Sequence, residues 1–201
     1  MTDRAQRPAD GELRFRPLAG HEPGVILTLL EQSYAVLMDS LPGFTASERP
    51  RWAEYDREAF SHPDTVGACV FVTCLGGIPI GFGSWEPVRD KGLGFVGHNC
   101  IQPEHRRQGY GARQLGEIVR RMRAQGLGSI RVTTGDHPFF VPARSMYKSL
   151  GFREVGRRSG GPIPGCGFVD YELPRLDNPP TSTAKQAPAS AARARASPSR
   201  R

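Results

Sequence analysis

The sequence predicts a single α/β domain built on a mixed sheet, and three observations predict it. Ala68 to Leu75 and Ile78 to Glu86 are apolar, β-branched runs separated by Gly76-Gly77, the pattern of an antiparallel hairpin. Gly94 to Ile101 and Ser129 to Thr134 read as strands joined through an amphipathic helix, and a crossover of that length implies parallel, right-handed pairing. Two further strand-like stretches, about 153 to 157 and 167 to 173, flank a Gly/Pro loop and close the domain.

Taken in order, residues 1–11 are polar and expected to be loose. Glu12 to Leu18 alternates apolar and charged residues, as a half-buried strand does, and Pro17 marks its end or an edge position. From Val25 to Met38, Ile26, Leu29, Leu30, Tyr34 and Leu37 recur at helical spacing, and Pro42-Gly43 is expected to end that helix. A second helix is expected from about Pro50 to Phe60, with Trp52, Tyr55 and Phe60 on its apolar side; Thr45 with Glu48, or Ser47 alone, could cap its start, but Pro50 fits only the first helical turn. The strand pair and the polar loop Pro87 to Gly92 follow. Leu115, Ile118, Val119 and Met122 then give a third helix one apolar face. Gly126 is its expected left-handed cap, with Leu127 closing over the last turn. Pro142 opens a fourth helix with Ala143, Met146 and Leu150 as its expected buried stripe, and Gly151-Phe152 repeats the glycine-then-apolar stop. Residues 12–175 thus form the expected domain. Residues 176–201 are rich in Pro, Ser, Ala and Arg, lack aromatic residues, and are expected to be disordered.

The stretch with the most chemistry runs from Cys100 to Leu115. It leaves a strand, crosses a short basic loop containing Arg106, Arg107, Gly109 and Gly111, and enters a helix. A helix N-terminus leaves about four backbone N–H groups unpaired and carries partial positive charge, so such a loop is a ready anion site. Gly109 and Gly111 let an anion approach the backbone closely. The order predicts a site for a phosphate or pyrophosphate. It matches neither the dinucleotide glycine fingerprint nor the nucleotide-hydrolase loop.

Arg106-x-x-Gly109-x-Gly111 resembles the Arg/Gln-x-x-Gly-x-Gly/Ala signature of the GNAT superfamily of N-acetyltransferases, and Pro103-Glu104-x-Arg106 resembles its lead-in. Ala143 to Phe152, with Tyr147 before Gly151-Phe152, is similar to the family's fourth helix, and Phe168 to Leu173 to its last strand. The resemblance covers roughly residues 12 to 175. It implies a mostly antiparallel mixed sheet of six to seven strands, flanked by about four helices, with the fourth and fifth strands splayed apart. It implies acetyl-CoA as cosubstrate, its pyrophosphate on the backbone from Arg106 and Arg107 through Gln108, Gly109, Tyr110 and Gly111 to Ala112. The pantetheine arm would pair with the open strand edge at Asn99, Cys100 and Ile101, and one of those N–H groups would stabilise the oxyanion. Tyr147 matches the family position that protonates the departing thiolate. The proton acceptor for the amine stays open among Glu86, Asp90 and His98. Cys100 offers a covalent alternative through a thioester. An asparagine that the family often carries three residues before the fourth-helix alanine is Phe140 here.

The implied activity is acetyl transfer to a primary amine of a small molecule or peptide by direct attack in a ternary complex. A longer acyl donor is the rival within the enzyme class. An acyl-CoA-binding relative without catalysis, or a protein acting on nucleic acid through its basic tail, is the rival outside it. The net charge of +7 favours anionic partners but does not require nucleic acid, since part of it belongs to Lys185, Arg193, Arg195, Arg200 and Arg201. Asp39, Glu54, Asp56 and Glu58 could attract a cationic amine, but a charged, solvated outer helix face explains most of them better. Cys69, Cys74, Cys100 and Cys166 show no metal-ligand spacing and read as reduced thiols, which fits a cytoplasmic location. No stretch approaches the ~18 apolar residues a membrane helix needs. Pairing through the last strands would give a homodimer.

Overall fold

A computed structural model of the chain describes residues 11–88 and 91–175. The N-terminal stretch, apart from Gly11, the tail after Arg175, and Asp90 therefore lie outside the described residues. Among the described residues, seven strands form one sheet in the order β1-β2-β3-β4-β5-β7-β6. They are β1 (Leu13–Pro17), β2 (Val70–Leu75), β3 (Ile78–Val88), β4 (Leu93–Ile101), β5 (Ser129–Gly135), β6 (Arg153–Arg158) and β7 (Phe168–Leu173). Only β4 and β5 run parallel; every other neighbouring pair is antiparallel. Among the described residues, four α-helices cover the sheet: α1 (Val25–Ser40), α2 (Pro42–Ser61), α3 (Tyr110–Ala124) and α4 (Val141–Ser149).

The strands alternate their side chains between two cores, as a period of two requires. Val70, Val72 and Cys74 of β2 face α1 and α2, where Leu30, Leu37 and Trp52 are buried. Phe71 of the same strand faces α3, against Leu115, Ile118 and Met122. α3 and α4 both end in the same way. Gly126 and Gly151 take φ +81° and +88°, Leu127 N–H donates to Met122 O, and Phe152 N–H donates to Tyr147 O, each at 3.1 Å. Leu127 and Phe152 then close the turns as buried plugs.

Three expectations are corrected here. The second helix begins at Pro42, eight residues earlier than expected, so Pro42 starts α2 and Pro50 lies inside it. Pro50 is exposed, and the buried residues Phe44, Trp52, Asp56 and Ala59 hold both halves of the helix against α1 and the sheet. That packing outweighs the one backbone hydrogen bond a proline removes. Thr45 Oγ1 further ties the start of α2 to Met38 O at 3.0 Å. Asp56 is not on a solvated face: its carboxylate caps α1, accepting from Gly24 N at 2.7 Å and Ile26 N at 2.9 Å. On α4 the buried residue is Tyr147, while Leu150 is 38% exposed, because α4 stops before Leu150 and turns its Tyr147 face to Phe152 and Tyr171.

Candidate functional site

β4 carries one residue more than β3 where they pair at Ser84. The register runs Trp85↔Val96 on one side and Gly83↔Asn99 on the other, so Gly97 and His98 together oppose Ser84. The Ser84 hydroxyl accepts from His98 N–H at 2.8 Å and holds this bulge. The consequence lies on the other edge of β4. Its parallel pairing with β5 covers Leu93 to Val96 and stops there, whereas β5 goes on pairing with β7 as far as Gly135. Beyond the bulge the two central strands part.

The backbone at that opening is oriented by strand alternation. Gln102 N–H donates to Ile80 O of β3 at 2.8 Å, and His98 N–H also points toward β3. Asn99 and Ile101 therefore turn their N–H groups the other way, into the gap. Gln114 of α3 braces the strand from behind. This fully buried amide donates to Phe82 O at 2.8 Å, Asn99 Oδ1 at 2.7 Å and Cys100 O at 3.2 Å, and accepts from the Thr73 hydroxyl. The sequence held a signal for Gln114: it sits four residues before Ile118, on the apolar stripe of α3, where a polar residue must find buried partners.

The glycine turn stands at the mouth of the gap. Gly109 is the N-cap of α3 at φ +81°, a left-handed conformation that an L side chain would strain, and no side chain caps the helix. Gly109 O accepts from Arg113 N–H, so the amides of Tyr110, Gly111 and Ala112 begin the helix without intrahelical acceptors. Arg107, before the turn, is also left-handed at φ +58°. Arg106 is used within the fold: its guanidinium donates to Ile101 O at 2.9 Å and to Ser33 O, and lies 5.6 Å from the Phe139 ring.

A cavity of about 490 Å³ joins these parts. Asn99, Cys100, Ile101, Arg106, Arg107, Gly109, Gly111 and Ala112 all line it, whereas Gln108 and Tyr110 do not. Its far wall comes from Ser33 and Tyr34 of α1 and from Phe139 and Phe140, just before α4. Phe140 stands where the resembled family often carries an asparagine, whereas Ser33, Tyr34 and Phe139 did not stand out in the sequence as site residues, because they meet only in the tertiary structure. Burial pushes the Cys100 thiol up to about 11, which keeps it protonated and a poor nucleophile near neutral pH.

The remaining candidates lie elsewhere. Glu86 and His98 line a different cavity of about 630 Å³, together with Tyr55, Glu58, Asp64 and Ser84. His98 packs its ring 5.2 Å from Tyr55 and 5.4 Å from Phe82, and burial pushes its imidazole down to about 4. Tyr147 is 6% exposed and sits on the α3/α4 face of the sheet, its ring 5.9 Å from Phe152 and 5.8 Å from Tyr171. Burial raises its phenol above the ordinary value. Among the described residues no cluster of His, Cys, Asp and Glu could hold a metal, and no helix is long and apolar enough to cross a membrane.

Several solved structures share this architecture. One, from Desulfovibrio desulfuricans and assigned to the GNAT family of acetyltransferases, is 18% identical with a TM-score of 0.64, over 81% of this chain and 98% of that one. An N-acetyltransferase from Staphylococcus aureus Mu50 is 14% identical with a TM-score of 0.60, over 81% and 98%. YncA of Salmonella typhimurium, assigned as an acetyltransferase and solved with its cofactor acetyl-CoA, is 16% identical with a TM-score of 0.57, over 87% and 99%. Identities this low speak to the fold alone. No functionally curated protein matches the chain. The sequence model of the acetyltransferase (GNAT) family matches residues 31–152, from mid-α1 through the Gly151-Phe152 cap of α4. With the parted strands and the glycine turn already in place, that match decides the matter: the chain belongs to the GNAT family of acetyltransferases.

Proposed function

We propose that this protein is an acetyl-CoA-dependent N-acetyltransferase that acts on a primary amine of a small molecule or peptide by direct attack in a ternary complex. The observation that carries the reading is one cavity shared by the uncapped start of α3 and the unpaired edge of β4. A diphosphate fits the first of these, because free amides and the helix dipole converge there. An extended pantetheine fits the second, because Asn99 and Ile101 offer it strand-like hydrogen bonds. YncA, the relative solved with acetyl-CoA, supports the same donor.

In this reading the chain supplies placement and charge stabilisation. Asn99 N–H, directed into the gap, holds the thioester oxygen and the negative charge that develops on it. Tyr147 gives its proton to the leaving thiolate. Cys100, protonated and buried, takes no covalent part. The experiment is thiol release from acetyl-CoA measured across a panel of primary amines. Amine-dependent release supports the transferase, whereas acetyl-CoA binding without release with any amine would make the chain a sensor. Tyr147→Phe should lower kcat by about 100-fold or more while acetyl-CoA affinity stays nearly unchanged. An unaltered rate would remove Tyr147 from the mechanism.

A further inference from the structure

The unpaired edge of β4 has a direction, and it leads to the second cavity. An arm that starts at the glycine turn and pairs along this edge meets Ile101 first, then Asn99, and then the Gly97-His98 bulge. Gly97 and His98 line the cavity of about 630 Å³, so consecutive residues of β4, His98 and Asn99, line the two cavities. The side of attack is also restricted. A thioester oxygen held by Asn99 N–H lies near the plane of the sheet, and a nucleophile meets a carbonyl carbon from above or below that plane. On the α4 side the wall is apolar, with Pro142, Ala143 and Met146. His98 stands on the opposite face, its ring packed on Tyr55 of α2 at 5.2 Å.

The walls of that cavity suit positive charge. Glu58 of α2, Asp64 and Glu86 of β3 line it, and among the described residues no lysine or arginine does. In this arginine-rich chain the carboxylates of Glu31, Glu48, Glu117, Glu154, Asp170 and Glu172 each hold an arginine. Among the described residues, Glu58, Asp64 and Glu86 hold no cation. Tyr55 and Trp85 add ring faces, which attract an ammonium group. The His98 ring, set between Tyr55 and Phe82, has no hydrogen-bond partner for its nitrogens among the described residues. Burial keeps it neutral, so one nitrogen is free to accept from an ammonium N–H. Resting on the acetyl-transfer reading, we propose that this cavity seats the acceptor, and that the acceptor is a small diamine or polyamine. Glu58, Asp64 and Glu86 hold its far ammonium while its near nitrogen, as the free amine, reaches the acyl carbon beside Asn99. That nitrogen forms the N–C bond, the C–S bond breaks with its electron pair on sulfur, and in net terms sulfur gains one proton as nitrogen loses one.

The test is thiol release by the full chain at saturating acetyl-CoA, with butylamine, diaminobutane and aminobutyrate as acceptors of equal carbon number and different far-end charge. The kcat/KM for diaminobutane should exceed that for butylamine by about tenfold or more, well beyond the roughly twofold that a second reactive amine gives by statistics. Aminobutyrate, with a far carboxylate, should fall below butylamine. The double variant Glu58→Gln/Asp64→Asn changes exposed side chains, so the fold is retained, which an unchanged melting temperature verifies. It should cut the diamine-to-monoamine ratio by about tenfold, chiefly through the diamine KM. A wild-type chain that acetylates butylamine and diaminobutane alike, or a folded double variant that keeps the wild-type ratio, overturns the acidic acceptor pocket and leaves acetyl transfer standing. A wild-type chain that releases no thiol with any amine overturns both.

Discussion

Gln114 is the residue on which the site's backbone depends. Its amide reaches three strands at once through Thr73, Phe82, Asn99 and Cys100. Gln114→Leu keeps the volume roughly and leaves those groups stranded in a dry core, at about 1–3 kcal/mol for each one left unsatisfied. The expected outcome is a clearly lower denaturant midpoint with weaker acetyl-CoA binding; full stability would show that the strands hold themselves. His98 makes a different prediction. Its folded-state value of about 4 lies below the ordinary ~6.5, so the unfolded chain takes up the proton first as pH falls. Stability therefore rises with pH across that window and is lost as pH drops through it. His98→Gln should flatten the melting-temperature curve between those limits. It should spare the separate loss at lower pH expected from Glu117, whose carboxyl is held down to about 2 by Arg120 and Arg121. His21, lowered by burial, keeps its own share of the upper window. An unchanged curve would mean that His98 titrates alike in both states.

At the scale of elements, the bulge in β4 decides where the sheet opens. A Cβ on Gly97 would stand 2.7 Å from Ser84 Oγ, the atom that accepts from His98 N–H. Gly97→Val must therefore displace that hydroxyl or re-register β4, and a one-residue slip would send Asn99 and Ile101 to the wrong side. We expect the variant to fold with reduced stability and to lose acetyl-CoA affinity more than tenfold, read by titration calorimetry; retained affinity would separate the bulge from the site. The helices show what periodicity reaches. The amphipathic stripe of α3 and the glycine caps of α3 and α4 are local patterns, and each appears where the spacing places it. The start of α2 was illegible for a physical reason. Pro50 favours a helix start, and only contacts of Phe44 and Thr45 with α1 and its end show that the helix already exists before it.

At the scale of the whole molecule, the sheet divides the protein into two cores, and the proposed site lies where strands β4 and β5 stop holding those cores together. A ligand that replaces the missing strand pairing should stabilise the entire domain. Acetyl-CoA at ~100 times its dissociation constant should add about 2.7 kcal/mol, which is roughly 5–10 °C in Tm for a chain of this size. A shift no larger than that given by an unrelated nucleotide would argue against the cavity as its site. The sequence by itself determined the order of strands and helices, the parallel crossover, and the glycine turn ahead of α3. These depend on residues close together in the chain, where backbone preferences and the period of apolar side chains act directly. Only the tertiary structure decided which side chains share the cavity. It placed Tyr34 and Ser33 beside Phe139, sent Glu86 and His98 to another cavity, buried Asp56 under the start of α1, and gave the polar position at 114 its partners. Those arrangements come from strand registers and helix packing between segments tens of residues apart, and no local pattern encodes them.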